Sequence, residues 1–372
     1  MQALFKIPLE PKIVANYLED EKDFLIGVIK LLNEVNESSL NANKSVILTE
    51  LKQNLPDLVE RIFPAKDPTN QIKALQQIAK IFAKTFNKNK FSDIGFTARW
   101  ISQGNGYLGR VVEENYEIAI LLYLISCVYQ SRALAFVQTS PEYRYYYISA
   151  YSALISSIEF LEKINPTQES HYAYPIYQMF QLRKLEIKAE ITKSEAFIAR
   201  KQGDFEKASK LFAGAASYRF SMMSFDLTET VDNRMKILAS TELGMACFYL
   251  AVGLQNNNDF NQAYLYLLKA RSYFENAAKL SEDNTELLEA ANKRLDLVNP
   301  SIDRLKDQVE DISTEIETLP DPQPLMSHTE SEPLLPINDK SEDISRICSN
   351  CNARIIWADE CSICGAAIIP LK

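Results

Sequence analysis

Glycine is scarce in this 372-residue chain: ten residues, well under half the usual share of about 7%. Gly-rich nucleotide loops, β-rich sandwiches and collagen-like repeats are therefore poor candidates. Histidine is scarcer still, at two. His328 falls in a Pro-rich stretch and His171 in a loop ahead of a helix. No Ser/His/Asp or Cys/His set, phosphate loop or H-x-x-x-H pair appears, and the chain reads as non-enzymatic. Paired acids such as Glu113-Glu114, or Glu159 and Glu162, read as solvated helix faces. Positive charge is in deficit, with a net charge of −9, which argues against a broad nucleic-acid surface. No apolar run reaches the ~18 uninterrupted residues of a membrane span. Residues Met1–Glu10 show no basic segment followed by an apolar run, so a cytoplasmic protein without a secretory signal is expected.

What is plentiful is Leu, Ala, Ile, Lys and Glu, with 47% apolar residues overall, enough for a sizeable helical core. Periodicity predicts amphipathic helices over roughly 11–34, 46–63 and 68–88. A loop or hairpin rich in aromatics follows over 89–106, ending Gln103-Gly104-Asn105-Gly106. One long helix is predicted from about Leu108 to Val137 and another from Pro141 to Ile164, opened by the helix-favouring charge of Glu142. The tyrosine run Tyr143 to Tyr147 reads as inter-helix packing rather than a platform for nucleic-acid bases, since no basic groove surrounds it. Further on there is a faint internal repeat. Gly203-Asp204-Phe205, with Ala208 and Ala215, matches Asn258-Asp259-Phe260, with Ala263 and Ala270. Each is a tight polar turn followed by a helix that packs back through an aromatic and small residues. That is the logic of tetratricopeptide-type hairpins, although the separation exceeds their usual 34 residues. The fold class expected is all-α, a helical solenoid. A last helical stretch, Asn284 to Leu319, should be interrupted near Pro300.

Residues 320–345 hold five prolines, six acids and no aromatic, the composition of a disordered linker. Six cysteines are unevenly placed: Cys127 and Cys247 sit in apolar helical runs as core residues, while four fall in the last 25 residues. Cys348-Ser349-Asn350-Cys351, nine residues, then Cys361-Ser362-Ile363-Cys364 supplies four thiolates on two tight turns, the donor set of a closed, structural Zn²⁺ site. A disulfide pair is the main rival, disfavoured by the intracellular reading; a redox C-x-x-C lacks a nearby βαβ unit. The domains read as 1–319 helical body, 320–345 linker and 346–372 zinc ribbon.

Several segments carry a family resemblance. Phe91-Ser92-Asp93-Ile94-Gly95-Phe96-Thr97-Ala98-Arg99-Trp100, the turn at Gly104–Tyr107 and the run Asn115-Tyr116-Glu117-Ile118-Ala119-Ile120-Leu121-Leu122-Tyr123 resemble the Bro1 domain family. Phe5-Lys6-Ile7-Pro8-Leu9 is similar to that family's opening strand, and Met235 to Phe274 to its late hairpin. Ile118 and Leu124 depart from the family pattern. The resemblance covers most of residues 1–315. It implies a short N-terminal β segment and a helical domain whose concave face receives the C-terminal helix of an ESCRT-III subunit. By the same resemblance Phe197, in Glu195-Ala196-Phe197, is the first partner contact. Leu211 or Phe212 stands on the following helix, and Glu142 near the start of the helix at Pro141. The protein implied is an ESCRT adaptor recruited to membranes through partners, its ribbon a second module for ubiquitin or another ESCRT component. The alternative is a tetratricopeptide-like adaptor unrelated to ESCRT whose ribbon docks on another complex; a nucleic-acid accessory factor is a third reading, opposed by the acidic body.

Overall fold

The computed structural model describes residues 114–166, 173–225, 227, 229–309, 316 and 319–327, with short pieces at 52–53, 56, 72–80, 99–101, 108–110, 345–347 and 354–356. The N-terminal strand expected at Phe5–Leu9 and the first helix lie outside these residues, as do most of the next two. Residues 72–80 are helical and bury Ile72, Leu75 and Ile78. The chain divides into two compact units. One comprises Met1–Val137, Pro141–Gln181 and Ser331–Lys372; the other comprises Gln138–Ser140 and Leu182–Glu330.

In the first unit, β1 (Arg99–Ile101) and β2 (Leu108–Arg110) form an antiparallel hairpin with Trp100 opposite Gly109. The strand takes residues that periodicity assigned to the long helix, and helix α1 instead runs Glu114–Ala133. Gly109 and the β-branched Val111 and Val112 are poor residues for a first helical turn. Helix α2 (Pro141–Glu162) begins at the expected proline. The two helices pack antiparallel, and the hydrogen bonds give the register. Ser157 Oγ donates to the Ala119 carbonyl at 2.6 Å, and Ser126 Oγ donates to Ala150 at 2.7 Å. Seven residues forward on α1 is thus seven residues back on α2, two turns on each. Tyr143 and Tyr147 are buried, and Tyr146 packs on Tyr129 and Phe136 with the Arg132 guanidinium 5.9 Å from its ring centre. The tyrosine run is packing, as its helical spacing requires.

Helix α3 (Tyr174–Lys201) starts in the first unit and continues into the second. There it is followed by α4 (Phe205–Met222), α5 (Glu229–Asn256), α6 (Phe260–Leu280) and α7 (Thr285–Lys306), with α4 against α5, α5 against α6 and α6 against α7. The repeat seen in sequence is a repeat of turn geometry. α3 ends with Gly203 at φ +80° and α5 with Asn258 at φ +61°, the left-handed residue that terminates a helix. Asp204 N–H reaches the Ala199 carbonyl and Asp259 N–H the Leu254 carbonyl, both at 3.0 Å. Each aspartate then turns donor to acceptor: its carboxylate caps the next helix, taking the N–H of Lys207 at 3.0 Å and of Gln262 at 3.2 Å. One residue closes one helix and opens the next.

The core of this unit gathers Leu211, Phe212, Ala246, Phe248, Leu267, Phe274, Val298 and Ile302. Helix α5 is long and apolar enough to cross a membrane, yet Met235 to Ala251 are largely buried by its neighbours. Gly244 makes room for a neighbouring ring. A Cβ there would stand 2.5 Å from Phe274, so its absence lets α6 seat that side chain. Pro300 lies inside α7 and does not interrupt it. Ala291, Val298, Ile302 and Leu305 form one buried stripe on both sides of the proline, and that packing holds the helix through one lost hydrogen bond.

The linker expected from residue 320 does not begin there. Residues 319–327 have no regular secondary structure, but they are seated on α6 and α4 as an extended strap. Its contacts form the candidate site.

Candidate partner-binding site

Phe197 projects from the last turns of α3, half-buried. Its ring meets Phe212 edge-on at 5.1 Å, and the Arg200 guanidinium lies 5.7 Å from its centre. Phe212 in turn stacks on Tyr249 of α5 at 5.5 Å, Tyr249 is parallel to Phe205 at 6.3 Å, and the Tyr249 hydroxyl accepts from Arg200 at 3.2 Å. An aromatic column thus links α3, α4 and α5, with Phe197 and Phe205, both part-exposed, at its ends. Leu211 and Phe212, named above as surface contacts, are each 1% exposed and belong to the core. The i, i+3, i+4 stripe of α4 that carries them faces α3 and α5. Neither side chain is open to a partner in this structure. Glu142 stands exposed in the first turn of α2, in the other unit.

Behind the column, α3, α4 and α5 are clasped by buried charge. Arg219, 1% exposed, binds Glu190 at 2.5 Å and Glu242 at 3.4 Å, and Lys193 binds Glu190 at 2.6 Å. Burial pushes the Glu242 carboxyl upward against the pull of Arg219 and Lys193. Burial opposes the Arg219 charge too, but Glu242, Glu190 and Glu186 outweigh it and raise its pKa. These groups are enclosed by the three helices and frame the fold. Cys247 is likewise inert: burial pushes its thiol up to about 12.

The strap contacts were not legible beforehand. Lys269 of α6 donates to the Leu319 carbonyl and pairs with Asp321 at 2.8 Å. Tyr273 donates to the same carboxylate at 2.7 Å, and Tyr266 to the Pro320 carbonyl at 3.2 Å. Burial first, then the bond to Asp321, raises the Tyr273 pKa. A cleft of about 550 Å³ lies here, lined by Lys269, Ser272, Tyr273, Ile316 and the stretch Leu319 to Asp321. Farther along, Leu325 N–H donates to the Lys210 carbonyl of α4 at 2.8 Å. A Cβ on Gly214 would stand 2.1 Å from the Leu325 carbonyl oxygen and 3.4 Å from Thr192 of α3. The small-residue run of α4 reads from sequence as a close helix contact; at Gly214 the close approach is to the strap backbone.

The four cysteines Cys348, Cys351, Cys361 and Cys364 lie outside the described residues, among which no cluster of metal-ligating side chains occurs. Around the first pair, β3 (Ser345–Ile347) and β4 (Arg354–Ile356) are antiparallel, with Ile347 opposite Arg354. Cys348 and Cys351 lie between these two strands in sequence.

No protein-family model matches the chain, and no curated protein matches it. Solved structures do. The ALIX Bro1 domain in complex with CHMP4C aligns at a TM-score of 0.58 with 14% identity, covering 83% of this chain and 91% of that one. A Bro1 domain described for endosomal targeting aligns at 0.55 with 12% identity, over 84% and 89%. ALIX in complex with the SIVmac239 PYKEVTEDL late domain aligns at 0.60 with 14% identity, over 84% of this chain and 47% of that one. The chain has the Bro1-domain fold, a mainly helical architecture, as the sequence resemblance implied.

Proposed function

We propose that this chain, as a Bro1 fold, is a non-enzymatic adaptor that binds the amphipathic C-terminal helix of an ESCRT-III subunit and works at membranes through that partner. The observation that carries the reading is the fold itself, because one of its structural neighbours is a Bro1 domain in complex with CHMP4C. It favours an ESCRT-related role over a generic tetratricopeptide-like adaptor. The aromatic column adds a place for the partner. Phe197 is half-buried, backed by Phe212 and flanked by Arg200, the make-up of an aromatic anchor in a helix-binding groove. Phe197→Asp should weaken binding of such a helix by at least about 2 kcal/mol, roughly 30-fold, measured by titration after circular dichroism shows the fold intact. A folded variant that binds as before removes Phe197 from the site. No affinity of the unaltered chain for any ESCRT-III tail of its own organism removes the function while leaving the fold.

The tail adds a second module. Four thiolates in two C-x-x-C pairs, the first falling between β3 and β4 in sequence, suit one tetrahedral Zn²⁺ with no open position, a role in folding rather than catalysis. The residues that would hold it are Cys348, Cys351, Cys361 and Cys364. Such a ribbon would contact ubiquitin or another ESCRT component, and two weak contacts on one chain gain through effective concentration. Metal analysis should give one zinc per chain. Cys348→Ser with Cys361→Ser should abolish it and leave the main helical melting transition in place; loss of that transition would make the ribbon part of the core.

A further inference from the structure

We propose that Ser327 is a phosphorylation site for an acid-directed serine/threonine kinase, and that the phosphate holds residues 319–327 off their seat on α6 and α4. The inference goes beyond the helix-binding reading and does not depend on it.

Ser327 stands apart from the other buried serines. Ser126, Ser157 and Ser209 each donate to a carbonyl of a neighbouring helix at 2.6–2.7 Å, and Ser194 reaches the Gln138 carbonyl at 2.9 Å. Ser327 is 8% exposed, and its hydroxyl has no partner. Among the described residues no other buried serine hydroxyl is in that state. An unpartnered buried hydroxyl lowers the stability of the docked strap, and alanine would fill the same space without that loss. The hydroxyl therefore calls for a role outside the docked state.

Its setting suits a kinase. The four partnered serines lie within helices, whereas Ser327 closes a stretch without regular secondary structure. An extended chain presents that hydroxyl with no helix to unwind. The surrounding charge is of one sign. No lysine or arginine occurs between Lys306 and Lys340, while Glu330 and Glu332 lie three and five positions after Ser327 in sequence. Acids on that side favour a kinase with a basic substrate groove and disfavour one that reads arginines.

A phosphate does not fit the docked position. Phosphoserine carries a charge of about −1.5 to −2, and burying such a group without a cation is costly. The described lysines that touch the strap are taken: Lys269 pairs with Asp321 at 2.8 Å and Lys210 with Glu206 at 2.6 Å. The contacts that oppose release are modest. Asp321 is 44% exposed in its ion pair, a setting in which such pairs contribute little. In the transfer, Ser327 Oγ forms a bond to the γ-phosphorus of ATP as the bond from that phosphorus to the ADP oxygen breaks. The hydroxyl proton passes to the carboxylate of the kinase's catalytic loop. The kinase thus acts on the undocked strap, and its product is kept from returning.

The test uses the full-length chain with Thr329→Ala and Ser331→Ala, which removes the competing hydroxyls beside Ser327. It is incubated with casein kinase II and Mg-ATP, and phosphate is located by tandem mass spectrometry. Phosphate should appear on Ser327. Adding Gly214→Ala, which fills the notch that takes the Leu325 carbonyl, should speed the transfer at least about 5-fold. In the phosphorylated chain the Leu325 amide, bonded to the Lys210 carbonyl in the docked strap, should exchange hydrogen at least about 10-fold faster, with the circular dichroism unchanged. Ser327→Ala should leave that exchange as slow as before, because the hydroxyl bonds nothing. No phosphate on Ser327 in the Gly214→Ala chain overturns the site. Unchanged or slower exchange after phosphorylation overturns the release, and faster exchange in Ser327→Ala shows a hydroxyl that holds the strap and overturns it too. Where Gly214→Ala does not fold, Asp321→Asn loosens the other end of the strap under the same expectation.

Discussion

Gly214 and Gly244 lie in adjacent hairpins, and the space each leaves is filled by a different thing. In α5 the space at Gly244 takes the ring of Phe274, a fully buried side chain of the neighbouring helix. In α4 the space at Gly214 takes the backbone of Leu325, from a segment without regular structure. A ring fixed on a packed helix has nowhere to go. The strap is held instead by a part-exposed ion pair and a few hydrogen bonds. The same residue type thus admits a packed ring in one hairpin and an irregular backbone in the next.

Alanine substitution separates the two. Gly244→Ala should lower the stability of the folded chain by about 2 kcal/mol, the scale of overpacking a tight core, read as a fall in the denaturant midpoint. A neutral result would show that Phe274 repacks freely. Next in size, Asp204→Ala and Asp259→Ala should each cost about 1 kcal/mol for a lost helix cap. The two costs should agree; a clear inequality would break the equivalence of the turns. The smallest global effect belongs to Gly214→Ala. The strap cannot remain at 2.1 Å, but alanine in a helix returns up to about 1 kcal/mol, so the melting transition should move little. Proteinase K cleavage within residues 319–327 should rise sharply. Unchanged cleavage would show that the strap does not need the notch.

Much of this architecture was legible because it depends on local chemistry. Gly203-Asp204-Phe205 and Asn258-Asp259-Phe260 declare a left-handed residue, a cap and a packing ring within three positions, and the turns form accordingly. Pro141 opens α2 where expected. What failed depends on contacts distant in sequence. Apolar spacing could not show that Leu108–Arg110 pairs as a strand with Arg99–Ile101, nor that the buried stripe of α7 outweighs Pro300. Composition assigned residues 320–327 to a linker because they contain little to bury; their docking comes from backbone groups, an acid meeting Lys269 and Tyr273, and a missing Cβ on α4. Family resemblance singles out Phe197, and its partial exposure agrees with a contact role. Leu211 and Phe212 were named by the same route, but apolar residues on a two-sided helix give no sign of which face is covered.

The shared aspartate of each turn also sets where the protein tolerates added length. Asp204 ends one helix and caps the next, so the connection has no spare residue. One inserted amino acid there would rotate α4 by about 100° about its axis, carrying Leu211 and Phe212 out of the core and breaking the Arg219 pairs with Glu190 and Glu242. The connection between α1 and α2 is different: Val137 is 71% exposed. An epitope tag or fluorescent reporter belongs at Val137, and a one-residue insertion beside Asp204 or Asp259 is the smallest edit that should disable the second unit.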